Sequence, residues 1–239
     1  MVRKQKRYNQ KILGKKNMIT FKSYLTEGVN DPAIFKAVFL AGGPGSGKSF
    51  IVGQTALQAL GMKLINSDPA FEAALEKAGL KTTPEDIASE KGQAARGRAK
   101  ILTKKQMNLA VNGRLGLIID GTGKDADKLK KQSTQLKKLG YETAMIFVNT
   151  NLETALDRNR KRARSLPDDM VKKMWKGVQD NIGAFQTTFG ENMFVIDNSD
   201  GADFKPQVQN VYKKISAWSK KEPYMPQAKA WITGQRSKK

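Results

Sequence analysis

Short apolar runs that end in a glycine or a polar residue recur five times along this chain, and longer stretches with helical spacing separate them. The runs are Ala37-Val38-Phe39-Leu40-Ala41, Met62 to Asn66, Leu115 to Asp120, Thr143 to Val148 and Met193 to Asp197. Each is too short for a buried helix and has no alternating polar face, the pattern of a strand covered on both sides. Between them the spacing predicts helices from the end of the first glycine-rich turn to about Leu60, and from Ser67-Asp68-Pro69 to about Lys77. A long basic helical segment runs from Thr83-Pro84-Glu85-Asp86 to about Asn112, with Pro84 where a first-turn proline belongs. Further helices are expected from Asp125 to Leu139, Leu152 to about Ala163, Leu166-Pro167-Asp168-Asp169 to about Phe185, and Phe204 to Trp218.

Strands alternating with helices predict an α/β fold, a three-layer sandwich around a five-stranded, mainly parallel sheet. Right-handed crossovers gather the loops after the strands along one edge, where ligands bind in such sheets. No internal repeat interrupts the order. At 239 residues one core is expected, with a basic arm over 1–31, a folded domain over 32–219 and a basic tail over 220–239.

The first strand runs directly into Gly42-Gly43-Pro44-Gly45-Ser46-Gly47-Lys48-Ser49, which fits the Walker A pattern G-x-x-x-x-G-K-[ST]. The context matters as much as the letters. A buried strand entering a glycine-rich turn and then a helix aims successive backbone N–H groups at one point, and the helix N-terminus adds positive potential there. Side chains would block that approach, hence the glycines. The motif implies a nucleoside triphosphate, with Lys48 reaching its β- and γ-phosphates and the Ser49 hydroxyl on Mg²⁺.

Two carboxylates end strands on the same edge. Asp68 precedes Pro69, which keeps it extended and projects it past the second strand. It is a candidate general base; the alternative is an ordinary helix N-cap. Asp120 closes the third strand before Gly121-Thr122-Gly123, and an acid after an apolar strand is costly unless paired or metal-bound. It is the candidate second Mg²⁺ ligand. Histidine and cysteine are both absent, so the base must be a carboxylate or an unusual lysine, and histidine or thiolate metal sites are excluded.

After the fourth strand comes Arg158-Asn159-Arg160-Lys161-Arg162-Ala163-Arg164. On a helix Arg158 and Arg162 share a face and repel unless an anion lies between them. That predicts an arginine-rich lid closing over ATP and stabilising charge on the transferred phosphoryl group. The alternative is a solvated basic helix face.

The formal net charge is +21, which points to an anionic partner such as nucleic acid or a nucleotide-like acceptor. Residues 1–26 carry no acid, and the chain ends in Arg236-Ser237-Lys238-Lys239. No apolar run reaches membrane-spanning length and no secretory core follows Met1, so a cytoplasmic protein without a membrane partner is expected.

The order strand–GGPGSGKS–helix, Asn66-x-Asp68, Leu117-Ile118-Ile119-Asp120, Arg158-Asn159-x-Lys161-Arg162 and Pro167-Asp168 resembles the 5′-kinase domain of T-even phage polynucleotide kinases. That domain belongs to the small P-loop kinases that include zeta-toxin-like enzymes. The resemblance covers roughly residues 36–200. It implies ATP and Mg²⁺ at Lys48 and Ser49, Asp68 activating a 5′-hydroxyl, and Arg158 and Arg162 in the lid. The chain departs from the pattern where Phe71 replaces a substrate-gripping arginine and Gly121 replaces an acid. Arg96, Arg98 or Arg114 are candidates for the missing grip. Residues 18–27, Met18 to Glu27, resemble phage capsid-targeting sequences, with Met18 as an alternative start and cleavage after Glu27; a short amphipathic arm segment is the alternative.

Three functions fit these residues. The leading one is an ATP-dependent kinase acting on a hydroxyl of a nucleic-acid 5′ end or a nucleotide-like molecule, including a sugar nucleotide. A nucleic-acid-coupled ATPase would need more chain and usually a second acid beside Asp120. A non-catalytic basic nucleic-acid-binding or virion-internal protein would keep the loop only for ligand-dependent stability.

Overall fold

A computed structural model describes residues 27–162 and 165–237, so residues 1–26 of the basic arm, with the 18–26 part of the targeting-like segment, and Arg164 lie outside the described residues. The five strands are β1 (Lys36–Ala41), β2 (Lys63–Ile65), β3 (Leu117–Asp120), β4 (Glu142–Asn149) and β5 (Met193–Asp197). They form one sheet in the order β2-β3-β1-β4-β5, and every pairing is parallel. The helices that follow from the chain are α1 (Glu27–Asn30), α2 (Lys48–Thr55), α3 (Asp68–Lys77), α4 (Pro84–Ala88), α5 (Glu90–Asn112), α6 (Ala126–Lys138), α7 (Leu152–Arg160), α8 (Asp168–Asp180), α9 (Ile182–Phe189), α10 (Phe204–Ser219) and α11 (Pro226–Arg236).

The central strand explains why the hydrophobic runs are continuous. All six residues of β1 are buried, and its side chains alternate between two cores. Phe35, Ala37, Phe39 and Ala41 pack with Leu129 and Leu136 of α6, Val178 of α8, Phe185 and Phe189 of α9 and Ala228 of α11. Val38 and Leu40 pack on the other side with Ile51 of α2 and Val208, Val211 and Ile215 of α10. Each such side chain contributes about 1.5–3 kcal/mol when removed from water. The edge strands are less covered. Lys63 is exposed in β2, and Val195 of β5 is half exposed, so double-sided burial holds for the three central strands only. A separate small cluster, Phe71, Leu75, Ala95 and Ala99, joins α3 to α5 beside the sheet.

Several helix boundaries differ from the periodicity, each for a local reason. The first long helix stops at Thr55 because Ala56 turns left-handed (φ 44°), which brings Leu57 fully into the core. The basic segment divides at Ser89, whose hydroxyl accepts the Gly92 N–H (3.1 Å) and starts α5. The helix expected from 168 to 185 divides at Asn181, whose side chain donates to the Gly123 carbonyl (2.9 Å) in the loop after β3. Residues 226–236, read from sequence as part of a tail, are a helix instead. Ala228 is buried against Gly140, and Trp231 meets Phe35 edge-on at 5.5 Å.

One buried ion pair joins two core strands. Lys36 at the start of β1 donates to Glu142 at the start of β4 (2.6 Å), and the two residues are paired in register. Both are buried, and the Lys36 ammonium lies 5.1 Å from the Trp218 ring. Burial holds the Lys36 pKa below its ordinary 10.5 despite the opposing pull of Glu142. Removing only the acid leaves an uncompensated buried cation, so Glu142→Gln is expected to destabilise by about 3–5 kcal/mol. Lys36→Met with Glu142→Leu should recover most of that loss. The unfolded chain then binds a proton at Lys36 that the folded chain holds less tightly, so stability rises with pH toward 10.5. Denaturant midpoints at pH 7 and pH 10 should therefore converge between Glu142→Gln and wild type; a constant gap refutes the buried-charge account.

Candidate active site

Residues 42–47 connect β1 to α2, and they bend around one point. Gly45 and Gly47 have φ of 74° and 79°, a region that glycine enters freely. A Cβ on Gly45 would lie 2.5 Å from the Ala155 carbonyl oxygen, and one on Gly47 would lie 2.4 Å from Asn198 Nδ2. The turn is therefore packed from behind by α7 and by the loop after β5. Asn198 donates to the Ser46 carbonyl (2.8 Å), and Lys48 Nζ donates to the Gly42 carbonyl (2.7 Å). Ser46 Oγ is buried without a hydrogen-bond partner among the described residues. An orphan hydroxyl in a glycine turn beside a lysine fits a bound polyphosphate.

A cleft of about 520 Å³ opens in front of this turn. Gly43, Pro44, Gly45, Gly47, Lys48 and Ser49 line it from the turn and α2, Asp68 and Asp120 from the ends of β2 and β3, and Arg158 and Arg162 from α7 and beyond. Gly42 and Ser46 stand behind them and are buried. The residues expected from sequence to act together thus share one cavity, brought there from four different strand ends.

The charges in this cavity are strongly coupled. Burial lowers the Lys48 pKa; Asp120 and Asp68 pull it back up, while Arg162 depresses it further. Burial raises the Asp120 pKa, which Lys48 opposes and Asp68 reinforces. Asn66, just past β2, connects the two acids. Its Nδ2 donates to Asp120 Oδ2 (2.9 Å), and its Oδ1 accepts the Asp68 backbone N–H (2.8 Å). The N-cap reading of Asp68 is corrected here. Ser67 occupies the cap position, Asp68 is the first residue of α3, and no hydrogen bond or ion pair among the described residues engages its exposed carboxylate.

The arginine segment is shorter than a continuous helix. α7 ends at Arg160, so Arg162 lies in the turn beyond it and not one helical turn above Arg158. Arg158 Nη2 pairs with Asp200 (2.6 Å) in the loop after β5. Its other guanidinium nitrogen lies 3.8 Å from where a Cβ on Gly47 would be, so it borders the phosphate turn. Arg162 makes no ion pair with a described residue. Buried Asn159 ties the connection down, donating to the Leu166 carbonyl (2.7 Å) and accepting its N–H (3.0 Å). Arg160 pairs with Asp168 across the same connection. Asn159 and Arg160 thus hold Leu166 and Asp168 against the end of α7.

The candidates for a missing grip separate. Arg96 of α5 lies over the Phe71 ring (5.0 Å), so a guanidinium stands at the side chain that replaces the expected arginine. Arg98 is exposed on α5. Arg114 sits before β3, at the edge opposite the cleft, bonded to the Val111 carbonyl (2.7 Å). At Gly121 an added Cβ would meet only the Leu40 carbonyl, at 3.6 Å, so space does not exclude an acid there. Sequence reasoning passed over Asn198 and Trp175. Trp175 of α8 donates to the Thr150 carbonyl (2.8 Å) and backs Gly43. Neither residue lies in a motif, and only the folded chain brings them to the turn.

A parallel sheet with a glycine turn after β1, acids at the tips of β2 and β3 and arginines after β4 defines the P-loop kinase fold. The chain belongs to the zeta toxin family, whose model matches residues 25–208. No curated protein sequence matches it. The solved PezAT chromosomal toxin–antitoxin system of Streptococcus pneumoniae contains a chain that is 17% identical, with 86% of this chain and 97% of that one covered and a TM-score of 0.50. Shikimate kinase from Acinetobacter baumannii, in complex with shikimate, is 16% identical over 81% of this chain and 99% of its own, with a TM-score of 0.49. A chain of the Pnkp1/Rnl/Hen1 RNA repair complex is 16% identical over 66% of this chain and 47% of its own, also at 0.49.

Asn198→Ala should loosen the phosphate turn by removing the donor to the Ser46 carbonyl. The expected cost in stability is about 1–3 kcal/mol, the desolvation penalty of an unsatisfied buried acceptor. Nucleotide affinity, read by calorimetry, should fall as well. Unchanged affinity would mean that Asn198 does not hold the turn.

Proposed function

We propose that this protein is an ATP-dependent phosphotransferase that moves the γ-phosphoryl group to a hydroxyl of an anionic, nucleotide-like acceptor. The observation that carries this reading is the shared cleft, lined by the glycine turn, a half-buried Lys48, a desolvated Asp120 and an Asp68 carboxylate without a partner among the described residues. Backbone N–H groups of the turn and Lys48 hold the β- and γ-phosphates. Among the described residues no group of three acidic side chains could hold a metal by itself. That fits Mg²⁺, which takes few protein ligands and completes its shell with phosphate oxygens and water. Ser49 and Asp120 are its protein ligands in this reading, and when bound it neutralises charge on the phosphate oxygens.

Asp68 accepts the proton of the acceptor hydroxyl. The acceptor oxygen bonds to the γ-phosphorus as the bond to the bridging oxygen breaks, and ADP leaves. Arg158 and Arg162 stabilise the charge that spreads over the transferred group. The contacts of Asn159 with Leu166 and of Arg160 with Asp168 keep the end of α7, and with it Arg158 and Arg162, at the cleft before substrate arrives.

For the acceptor, the net charge of +21 and the guanidinium stacked on Phe71 favour a phosphorylated molecule, of which a nucleic-acid 5′ end is the first candidate. The match to the zeta toxin family favours a second, a sugar nucleotide.

Incubation with γ-labelled ATP and a 5′-hydroxyl oligonucleotide, a nucleoside pool or a sugar nucleotide identifies the acceptor by where label appears; label only in free phosphate would overturn the kinase reading. Lys48→Ala should abolish transfer. Asp68→Asn should keep ATP binding within a few-fold of wild type and lower transfer by about 10²–10⁴, the scale of general-base catalysis. Full transfer in Asp68→Asn would remove Asp68 from that role.

A further inference from the structure

The edge of the sheet opposite the cleft carries a second concavity, of about 370 Å³. It lies between the chain leading from α1 into β1, the turn after α10, and α11. One six-residue strand, about 20 Å at 3.3 Å per residue, separates it from the phosphate turn. Four cations line it: Lys220 and Lys221 from the turn, and Lys229 and Arg236 from α11. Lys229, Ile232, Thr233 and Arg236 are spaced i, i+3, i+4 and i+7, so they form one stripe of α11, and all four line the cavity. The two ends of that stripe are about 10 Å apart at 1.5 Å per residue.

Among the described residues these cations outnumber the acids of the same wall. None of the four makes an ion pair with a described residue. The acids in the same wall are Asp31, whose Oδ1 accepts the Ala33 N–H (3.0 Å), and Glu222. Four cations and two acids leave a surplus of positive charge in one concave site. The positive charge of Lys221 also opposes that of buried Lys36. Such a cluster is solvated and mutually repulsive when empty, and a chain of phosphates relieves the repulsion.

The rim supplies a second kind of contact. Tyr224 follows Pro223, a lining residue, and is 67% exposed. Its backbone N–H donates to Glu142 Oε1 (3.1 Å), so a buried core acid fixes the turn that carries the ring. An exposed, anchored aromatic beside a positively charged groove is the pairing by which proteins hold single strands: cations follow the phosphates and bases stack on the ring. A duplex offers no free base faces to such a ring.

We propose that this concavity is a binding site for single-stranded nucleic acid, distinct from the phosphoryl-transfer cleft. Lys220, Lys221, Lys229 and Arg236 contact the phosphate backbone, and Tyr224 stacks on a base. The site does not depend on the kinase reading, because it shares no residue with the cleft.

The test is fluorescence anisotropy of a labelled 15-nucleotide oligothymidylate, measured on the full chain without ATP from low to moderate salt. The variants are Lys220→Glu/Lys229→Glu/Arg236→Glu, Tyr224→Ala, and a charge-matched control on exposed positions of α5, Lys100→Glu/Lys104→Glu/Lys105→Glu. The pocket triple should weaken binding at least tenfold and lower the slope of log affinity against log salt by about 2, at about 0.7 for each phosphate no longer neutralised. The control should do neither. Tyr224→Ala should weaken oligonucleotide binding by about tenfold and leave inorganic polyphosphate binding unchanged, within the range expected for removing one base stack. All these positions are exposed, so circular dichroism should show native spectra; single Lys229→Glu, expected to weaken binding severalfold, serves if the triple does not fold. Equal weakening in the pocket triple and the control overturns the proposal in favour of diffuse charge. An unchanged Tyr224→Ala, equal affinity for duplex, or pocket-dependent binding to phosphatidylserine vesicles alone overturns it as well.

Discussion

The backbone of residues 42–47 must stay bent in one shape, and most of what surrounds it can be understood as the means of keeping it there. A loop of glycines has no conformational preference strong enough to stay in one shape. Here the shape is imposed by contact. The Ala155 carbonyl presses on Gly45, Asn198 reaches the Ser46 carbonyl from the end of β5, and the Lys48 ammonium closes on the Gly42 carbonyl. β1 itself lies between two cores, so the turn starts from the most deeply packed strand of the sheet. A rigid cradle is what allows electrostatic preorganisation, because donors that need not reorganise retain their full interaction with developing charge.

That cradle creates an electrostatic problem which the neighbouring side chains manage. Lys48 and Asp120 are both desolvated, and burial shifts each toward its neutral form. They oppose those shifts in each other without a direct ion pair shorter than 4 Å. Asn66 fixes the orientation of Asp120 and of the chain entering α3, so the exposed Asp68 carboxylate projects from a defined backbone. Arg158 arrives already paired with Asp200, whereas Arg162 has no partner among the described residues. The two arginines are therefore unequal: one is held beside the glycine turn by Asp200, and the other lines the cleft without an ion pair to a described residue.

At the opposite edge the same sheet buries an ion pair, Lys36 with Glu142, and exposes a cluster of cations. Glu142 serves both, since it neutralises Lys36 through one oxygen and anchors the Tyr224 turn through the other. α11 closes that edge through Ala228 and Trp231, so the basic C-terminal segment is part of the core as well as of the surface.

The hydrophobic runs were enough to place five strands, because a strand covered on both faces has to be apolar throughout its length, but not to tell the half-covered edge strands β2 and β5 from the central three. The phosphate turn was equally legible, since its glycines and lysine are adjacent in the chain and the chemistry demands that spacing. Asp68, Asp120, Arg158 and Arg162 could be nominated because each follows a strand, and parallel crossovers collect such positions on one edge. Helix breaks at Ala56, Ser89 and Asn181 were not legible. They answer to where Leu57 must be buried and to what Ser89 and Asn181 bond, contacts that local propensity does not encode. The helix over 226–236 was missed because its apolar positions are few and serve only to cap a core built elsewhere. Asn198, Trp175 and the Arg96–Phe71 stack depend on residues far apart in the chain. Adjacency along the backbone is what a sequence records; which distant groups meet is decided by how the layers pack, and the support of the site lies in those meetings.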